Sequence, residues 1–314
     1  MDVLVTGGAG FIGANLCRSL CEDDRAGRVV VIDDLSTGTL ENLRGMPKLE
    51  IVEGTVTDAS VVSDLARGMS SIVHLAARAS VPRSIKDPVA THHANATGTL
   101  TVLEAARAAG DVHVVVASSS SVYGTNPALP KREDMGTFPM SPYAASKLAT
   151  ESYALAYGLS YSLPVLAFRF FNVFGPLQPA DHAYAAVVPA FVAAALRGEA
   201  LRVHGDGRQT RDFTYVGSVV NVLKDAVLRR VTSERAVNLA FGSRVSLLEL
   251  ISSLESVLGA EVKTVHTDAR VGDVRDSQAD RSRLAELFPD ASAVPLAEGL
   301  RATVDWFRDQ GCSG

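Results

Sequence analysis

Tyr143 and Lys147 stand four residues apart at the start of a helical pattern, so both side chains project from one face, a turn apart. A tyrosine removes protons near neutral pH only when its phenolate is stabilised, and a neighbouring ammonium lowers its pKa from roughly 10. Lysine is scarce in this chain, six against twenty-four arginines, which sets Lys147 apart. The spacing alone is common by chance. Ser118, Ser119, Ser120 and Ser121 give it company, because they follow the apolar run 114–117 and so fall at a strand end. Hydroxyls there can hydrogen-bond a reacting alcohol, or simply form a polar start to a loop.

The second chemistry is anion binding. Thr6-Gly7-Gly8-Ala9-Gly10-Phe11-Ile12-Gly13 follows a short apolar run and opens a helix. Glycines there allow a tight turn and let backbone N–H groups and the helix dipole approach a pyrophosphate. Asp33 closes the next apolar run, twenty residues after Gly13. Its carboxylate can accept both hydroxyls of an adenosine ribose and repels a 2′-phosphate, so the expected cofactor is NAD rather than NADP. A cationic nicotinamide near Tyr143 would stabilise the phenolate further.

The elements that position these residues follow from the apolar pattern. Runs at 3–5, 29–32, 50–52, 72–75, 112–117 and 166–170 are continuously apolar rather than alternating, as for parallel strands covered on both faces. Helical patterns such as 88–109 and 142–157 lie between them. The alternation predicts a doubly wound, Rossmann-type parallel α/β sheet over residues 1–172. Beyond residue 172 the rhythm loosens, with helical patterns at 217–230 and 246–258. A smaller C-terminal substrate domain, 173–314, is expected over the carboxyl edge of the sheet, with later segments returning to the first domain.

A chain of 314 residues with 47% hydrophobic and 21% charged residues is too apolar for disorder and long enough for one large or two medium domains. Its formal charge of −5 argues against a surface that grips nucleic acid. Cys17, Cys21 and Cys312 form no disulfide framework, and no Cys/His set has metal-site spacing. There is no apolar stretch of membrane-spanning length and no signal-peptide pattern, so a cytoplasmic location is expected.

The glycine loop, Asp33, serine strand end and Tyr-x-x-x-Lys, in this order, resemble the extended short-chain dehydrogenase/reductase family, and within it the NAD-dependent nucleotide-sugar 4-epimerases. The stretches His74-Leu75-Ala76-Ala77, Asn95-Ala96-Thr97-Gly98-Thr99, Arg169-Phe170-Phe171-Asn172-Val173-Phe174-Gly175-Pro176 and Gly205-Asp206-Gly207-Arg208-Gln209-Thr210-Arg211-Asp212-Phe213 carry it further. The resemblance implies Ser119, Tyr143 and Lys147 as the catalytic set, with Tyr143 the base and Lys147 on the nicotinamide ribose. For the cofactor it implies Gly7, Gly10, Phe11, Ile12, Gly13, Asp33, Ser36, Thr37, Gly38, Thr55, Val56, Leu75, Ala76, Ala77, Arg78, Asn95, Ser118 and Phe171. Thr55 stands where the family usually has an aspartate.

For a UDP-sugar substrate the resemblance implies Ser80, Ser119, Ser120, Tyr143, Asn172, Val187, Val203, His204, Arg211, Arg270, Asp273 and Ser277. Arg211 and Arg270 match the pair that grips the diphosphate. Ser277 matches the place of a bulky tyrosine that narrows the sugar pocket in galactose-type epimerases, so the sugar can be plain, N-acetylated or a uronic acid. Sister dehydratases and glucuronate decarboxylases carry acids where this chain has Ser120 and Ser121, which makes 4-epimerisation the expected reaction. A UDP-glucuronate decarboxylase or nucleotide-sugar 4,6-dehydratase of the same family is the alternative reading, with a reductase and a non-catalytic NAD-binding protein as further competitors. Related proteins are mostly dimers through a four-helix contact, here expected from 88–109 and 142–157.

Overall fold

The computed structural model describes residues 1–110, 112–180, 185–268 and 275–311. The first half alternates strands with helices, with two exceptions. The strands and helices run β1 (Val3–Thr6), α1 (Phe11–Cys21), β2 (Val29–Asp33), β3 (Leu49–Glu53), α2 (Ala59–Ala66) and β4 (Ser71–His74). Then follow α3 (Val81–Lys86), α4 (Pro88–His92), α5 (Gly98–Ala108), β5 (His113–Ser119), α6 (Pro142–Tyr161) and β6 (Val165–Phe170). No α-helix separates β2 from β3, and three successive helices lie between β4 and β5. The second half adds β7 (Val173–Phe174), α7 (Val187–Leu196), β8 (Leu201–His204), β9 (Thr210–Arg211), β10 (Thr214–Tyr215), α8 (Val216–Arg229) and β11 (Val237–Leu239). It closes with β12 (Val245–Ser246), α9 (Leu247–Leu258), β13 (Thr264–Thr267), α10 (Ser282–Leu287) and α11 (Leu296–Asp309).

Seven parallel strands form the central sheet in the order β11-β6-β5-β4-β1-β2-β3. β1, β2 and β4 are buried at every position because helices cover both faces. β3, at the edge, is largely exposed and carries Glu50 and Glu53, charges that discourage pairing with another chain. The strand order reverses at β1, between β2 and β4, and the carboxyl ends there bring Gly7, Asp33 and Leu75 to one rim. Ligands of open parallel sheets bind at such a crevice.

The chain returns to this sheet after leaving it. β11 pairs with β6, Val237 opposite Phe168, and Val219, Val220 and Leu223 of α8 share a core with Leu16, Cys17 and Leu20 of α1. A separate core holds Phe191, Val203, Phe213, Leu250 and Val304, from α7, β8, α9 and α11. Strands β8 and β13 pair in parallel, and β9 pairs antiparallel with β12.

Local chemistry sets where the catalytic helix begins. The Ser141 hydroxyl accepts the Ala144 amide hydrogen and Pro142 occupies the first turn, so α6 starts just before Tyr143. Asp58 caps α2 by accepting from the Ser60 and Val61 amides. The helical run 88–108 is interrupted by a π-helical turn, His93–Thr97, which buries Asn95.

Two histidines lie inside the fold. His74 bridges the Thr6 and Thr99 hydroxyls, and His113 bridges the Ser71 hydroxyl and the Val231 carbonyl. Burial pushes His74 down to about 3 and His113 to about 4, from 6.5. The unfolded chain takes up protons below 6.5 while the folded chain does not, so this stability is present above 6.5 and is lost as pH falls toward 4. Asp33 and Asp212, raised by burial, offset part of it. Urea unfolding between about pH 7 and about pH 5 should show stability falling by about 1–2 kcal/mol per pH unit. A flat profile would mean that the histidines are charged in the folded chain.

Candidate active site

Along the carboxyl rim runs a cleft of about 1020 Å³. At one end lies the turn into α1. Gly10, its N-cap residue, provides no side-chain cap, so the first-turn amides remain available to an anion. Two glycines are enforced by crowding: a Cβ on Gly13 would lie 2.2 Å from the Gly7 carbonyl oxygen, and one on Gly7, at φ +70°, 2.7 Å from the Ala76 nitrogen. On Gly10 the nearest atom would be at 3.3 Å, which leaves the cleft side of the turn open.

Asp33 stands beside this turn, 8% exposed. One carboxylate oxygen accepts the Ala9 amide and the other the Leu35 amide, both at 2.9 Å. Each oxygen keeps acceptor capacity for a ribose hydroxyl. Burial raises this carboxyl's pKa and the two amides pull it back. A pyrophosphate cradle next to a ribose acceptor is the donor and acceptor set that a dinucleotide needs.

Ser36, Thr37, Thr55, Val56, Leu75, Ala76, Ala77 and Arg78 line the same end with Gly7, Gly10, Phe11, Ile12 and Gly13. Three residues expected here do not. Gly38 packs against the Ala9 backbone, and Phe171 is fully buried against the Tyr123 ring. Asn95 sits behind the wall, where its carbonyl oxygen accepts the Arg78 amide at 2.8 Å and its amide donates to Ser146 Oγ at 2.8 Å. It holds the wall in place.

Midway along the cleft, Ser119 ends β5 opposite the first turn of α6. Its hydroxyl accepts from the Ser121 amide and hydroxyl at 3.2 and 2.9 Å, and its nearness lowers the pKa of the Tyr143 phenol against the larger upward push of burial. Lys147, 5% exposed, donates to the Ala117 carbonyl at 2.8 Å, and burial pulls its ammonium down to about 8. Ser118, Ser120 and Ser121 also line this stretch. The Ser118 hydroxyl, however, donates to Glu151 at 2.8 Å. Glu151 receives two bonds from Arg169, at 2.6 and 2.9 Å, and the Arg169 guanidinium lies 4.6 Å from the Tyr123 ring centre. This fully buried pair pins α6 to β5 and β6 directly behind the serines.

The far end is lined by Ser80, Asn172, Arg211 and Ser277. Arg211 donates to the Thr210 and Arg275 carbonyls at 2.9 and 3.0 Å. Val187, Val203 and His204 do not line the cleft: Val203 is buried in the second core, and the His204 ring bonds Thr267 in the β8–β13 ribbon. Arg270 and Asp273 lie outside the described residues. The structure adds Lys131, Met140 and Gln178 to the lining. Gln178 donates to the Val173 carbonyl while its own carbonyl oxygen is buried without a partner. The only carboxylates lining the cleft, among the described residues, are Asp33 and Asp34 at the glycine end.

Residues 3–240 match the model of the NAD dependent epimerase/dehydratase family. The chain belongs to that family. It is an NAD-dependent enzyme. A UDP-glucose 4-epimerase of Mycolicibacterium smegmatis is 40% identical over 99% of both chains. The UDP-N-acetylglucosamine 4-epimerase from Methanobrevibacter ruminantium, solved with UDP-N-acetylmuramic acid, superposes with a TM-score of 0.93 at 36% identity over 98% of both chains. The UDP-glucuronic acid 4-epimerase from Bacillus cereus, solved with UDP-glucuronic acid and NAD, gives 0.88 at 28% identity over 99% of this chain and 100% of that one. Dehydratases and a decarboxylase are also among the relatives. No helix among the described residues is long and apolar enough to cross a membrane.

In this enzyme, Arg169→Met should leave Glu151 buried and unpaired and cost about 3–5 kcal/mol of stability. Urea unfolding measures it; a loss below about 1 kcal/mol would show that the pair is not what joins α6 to the sheet.

Proposed function

We propose that the enzyme inverts C4 of a UDP-hexose through a transient 4-keto sugar. One observation carries the reading: Ser119, Tyr143 and Lys147 meet at mid-cleft, and no described carboxyl group lines the cleft beyond them. A base for one hydroxyl is present, whereas an acid to expel water from the sugar, or a glutamate as in the decarboxylases, is not. Ser120 and Ser121 occupy those places.

Bound NAD supplies a hydride acceptor that returns the hydride within the same turnover. Tyr143 takes the proton of the 4-hydroxyl and gives it back, with Ser119 bonded to both the phenol and the sugar oxygen. Lys147 supplies the positive charge that stabilises the phenolate. Burial lowers its pKa to about 8, which still leaves it mostly protonated at neutral pH, and a phenolate beside it would favour the charged form further. Arg211, with Arg270, holds the diphosphate while the sugar turns to present its other face. Asn172 and Ser80 contact the sugar end, and Ser277 leaves space for substituents of a plain, N-acetylated or acidic hexose.

A homodimer completes this reading. The inner face of α6 packs on the sheet, while Ala145, Ser152, Tyr153, Ala156, Leu159 and Tyr161 face outward and are exposed, with Val89 of the adjacent helical run. Small residues allow close approach of a second helix pair, and the exposed apolar ones supply burial. The buried free thiols of Cys17 and Cys21 accord with a cytoplasmic location.

Purified protein should release NAD on denaturation, and NMR of incubations with UDP-glucose, UDP-N-acetylglucosamine and UDP-glucuronate should show a 4-epimer from at least one. Tyr143→Phe should retain NAD and lose turnover by about 100-fold or more; activity close to wild type would overturn the mechanism. Light scattering should give twice the mass of one chain, and a single-chain mass would remove the dimer.

A further inference from the structure

Apart from Lys147, Lys131 is the only lysine lining the cleft among the described residues. It is 3% exposed, and its ammonium donates to one group, the Asn126 carbonyl. No described carboxylate pairs with it, and burial pulls its pKa down with no acidic neighbour to raise it. A buried cation without a counter-charge is costly, so a site that keeps one has a use for an anion.

Its place in the wall says which anion. Residues 275–280, of which Ser277 lines the cleft, form a seam that two elements join. Thr210 bridges Asp276, and the Ser277 amide donates to the Thr210 carbonyl at 3.1 Å. Lys131 bridges Ala279, its amide donating to the Gln278 carbonyl at 2.7 Å. Arg211, Ser277 and Lys131 therefore follow one another along the wall. The two bridges are three residues apart, at most about 11 Å of chain. A hexose with its anomeric phosphate spans such an interval. With the diphosphate at Arg211 and the sugar against Ser277, Lys131 faces the end of the hexose remote from the phosphate.

We infer that Lys131 binds a carboxylate on the sugar, and that the preferred substrate is a UDP-hexuronic acid. C1 carries the diphosphate and C4 must keep its hydroxyl, so C6 is the position where oxidation yields a carboxylate without touching the reacting centre. Ser120, also in the lining, can donate to the second carboxylate oxygen.

The inference rests on the UDP-sugar 4-epimerase reading and is tested apart from it. The NAD-bound wild type should epimerise UDP-glucuronate with a kcat/KM about tenfold or more above that for UDP-glucose or UDP-N-acetylglucosamine. Lys131→Met should lower the ratio of uronate to glucose kcat/KM by about 10- to 100-fold, while Lys131→Arg keeps it within about threefold. A wild type without preference for the uronate, or an unchanged ratio in Lys131→Met, overturns the inference, since a lysine that only ties the wall together affects every sugar alike. If none of the three sugars is epimerised, the proposed function fails. Calorimetric affinities of the Tyr143→Phe holoenzyme for UDP-glucuronate and UDP-glucose then decide Lys131 alone: tighter uronate binding, lost in the added Lys131→Met, supports it, and equal affinities overturn it.

Discussion

The bidentate ion pair between Arg169 and Glu151 is the interaction on which the site's geometry depends. Arg169 comes from β6, Glu151 from α6, and the Ser118 hydroxyl from β5 joins them. Tyr143 and Lys147 sit on the same helix as Glu151, and Ser119 is the next residue after Ser118. One buried anchor thus fixes the elements that carry both Ser119 and Tyr143. The pair is tolerable in the interior because every oxygen and most nitrogens are satisfied, and because the Tyr123 ring covers the guanidinium. Tyr123 extends the anchor, donating to Asn238 of β11, whose amide side chain reaches the Lys131 carbonyl. The sheet, the catalytic helix and the substrate wall are therefore linked through one polar chain.

The mild negative charge of the whole chain is compatible with two anionic ligands because each is met locally. At the glycine end the donors are backbone amides and a helix terminus, which add no formal charge. At the other end the described lining offers Arg211 and Lys131 and no acidic side chain. The acidic residues of the cleft are confined to Asp33 and Asp34, where ribose hydroxyls rather than phosphates are expected.

Much of this was legible in the sequence where one residue type has one local job. The continuous apolar runs became the buried parallel strands, and Gly13 is required by contact with its own loop, as Gly7 is by the Ala76 backbone. Tyr143 and Lys147 follow from helical spacing once Ser141 and Pro142 set the start of α6. Residues whose orientation depends on distant chain were not legible. Asn95 turns inward because a π-helical turn rotates it, and Ser118 is claimed by Glu151, thirty-three residues later. Lys131 lies in an aperiodic loop and joins the cleft only through its bridge to Ala279. The paired ribbon of β8 and β13 explains why Val203 turns into the second core and the His204 ring is taken up by Thr267.

The late return of β11 has a consequence for how the protein is made. As the chain leaves the ribosome, β6 is in place while residues 171–236 are still to come, and its outer edge has no partner until Val237–Leu239 arrive. That edge carries Phe168, whose ring packs against Phe288 from later still. During that interval the nascent cofactor half presents unpaired amides beside an apolar face, the condition under which strands recruit wrong neighbours. Release of a finished sheet is thus coupled to synthesis of the substrate-binding half.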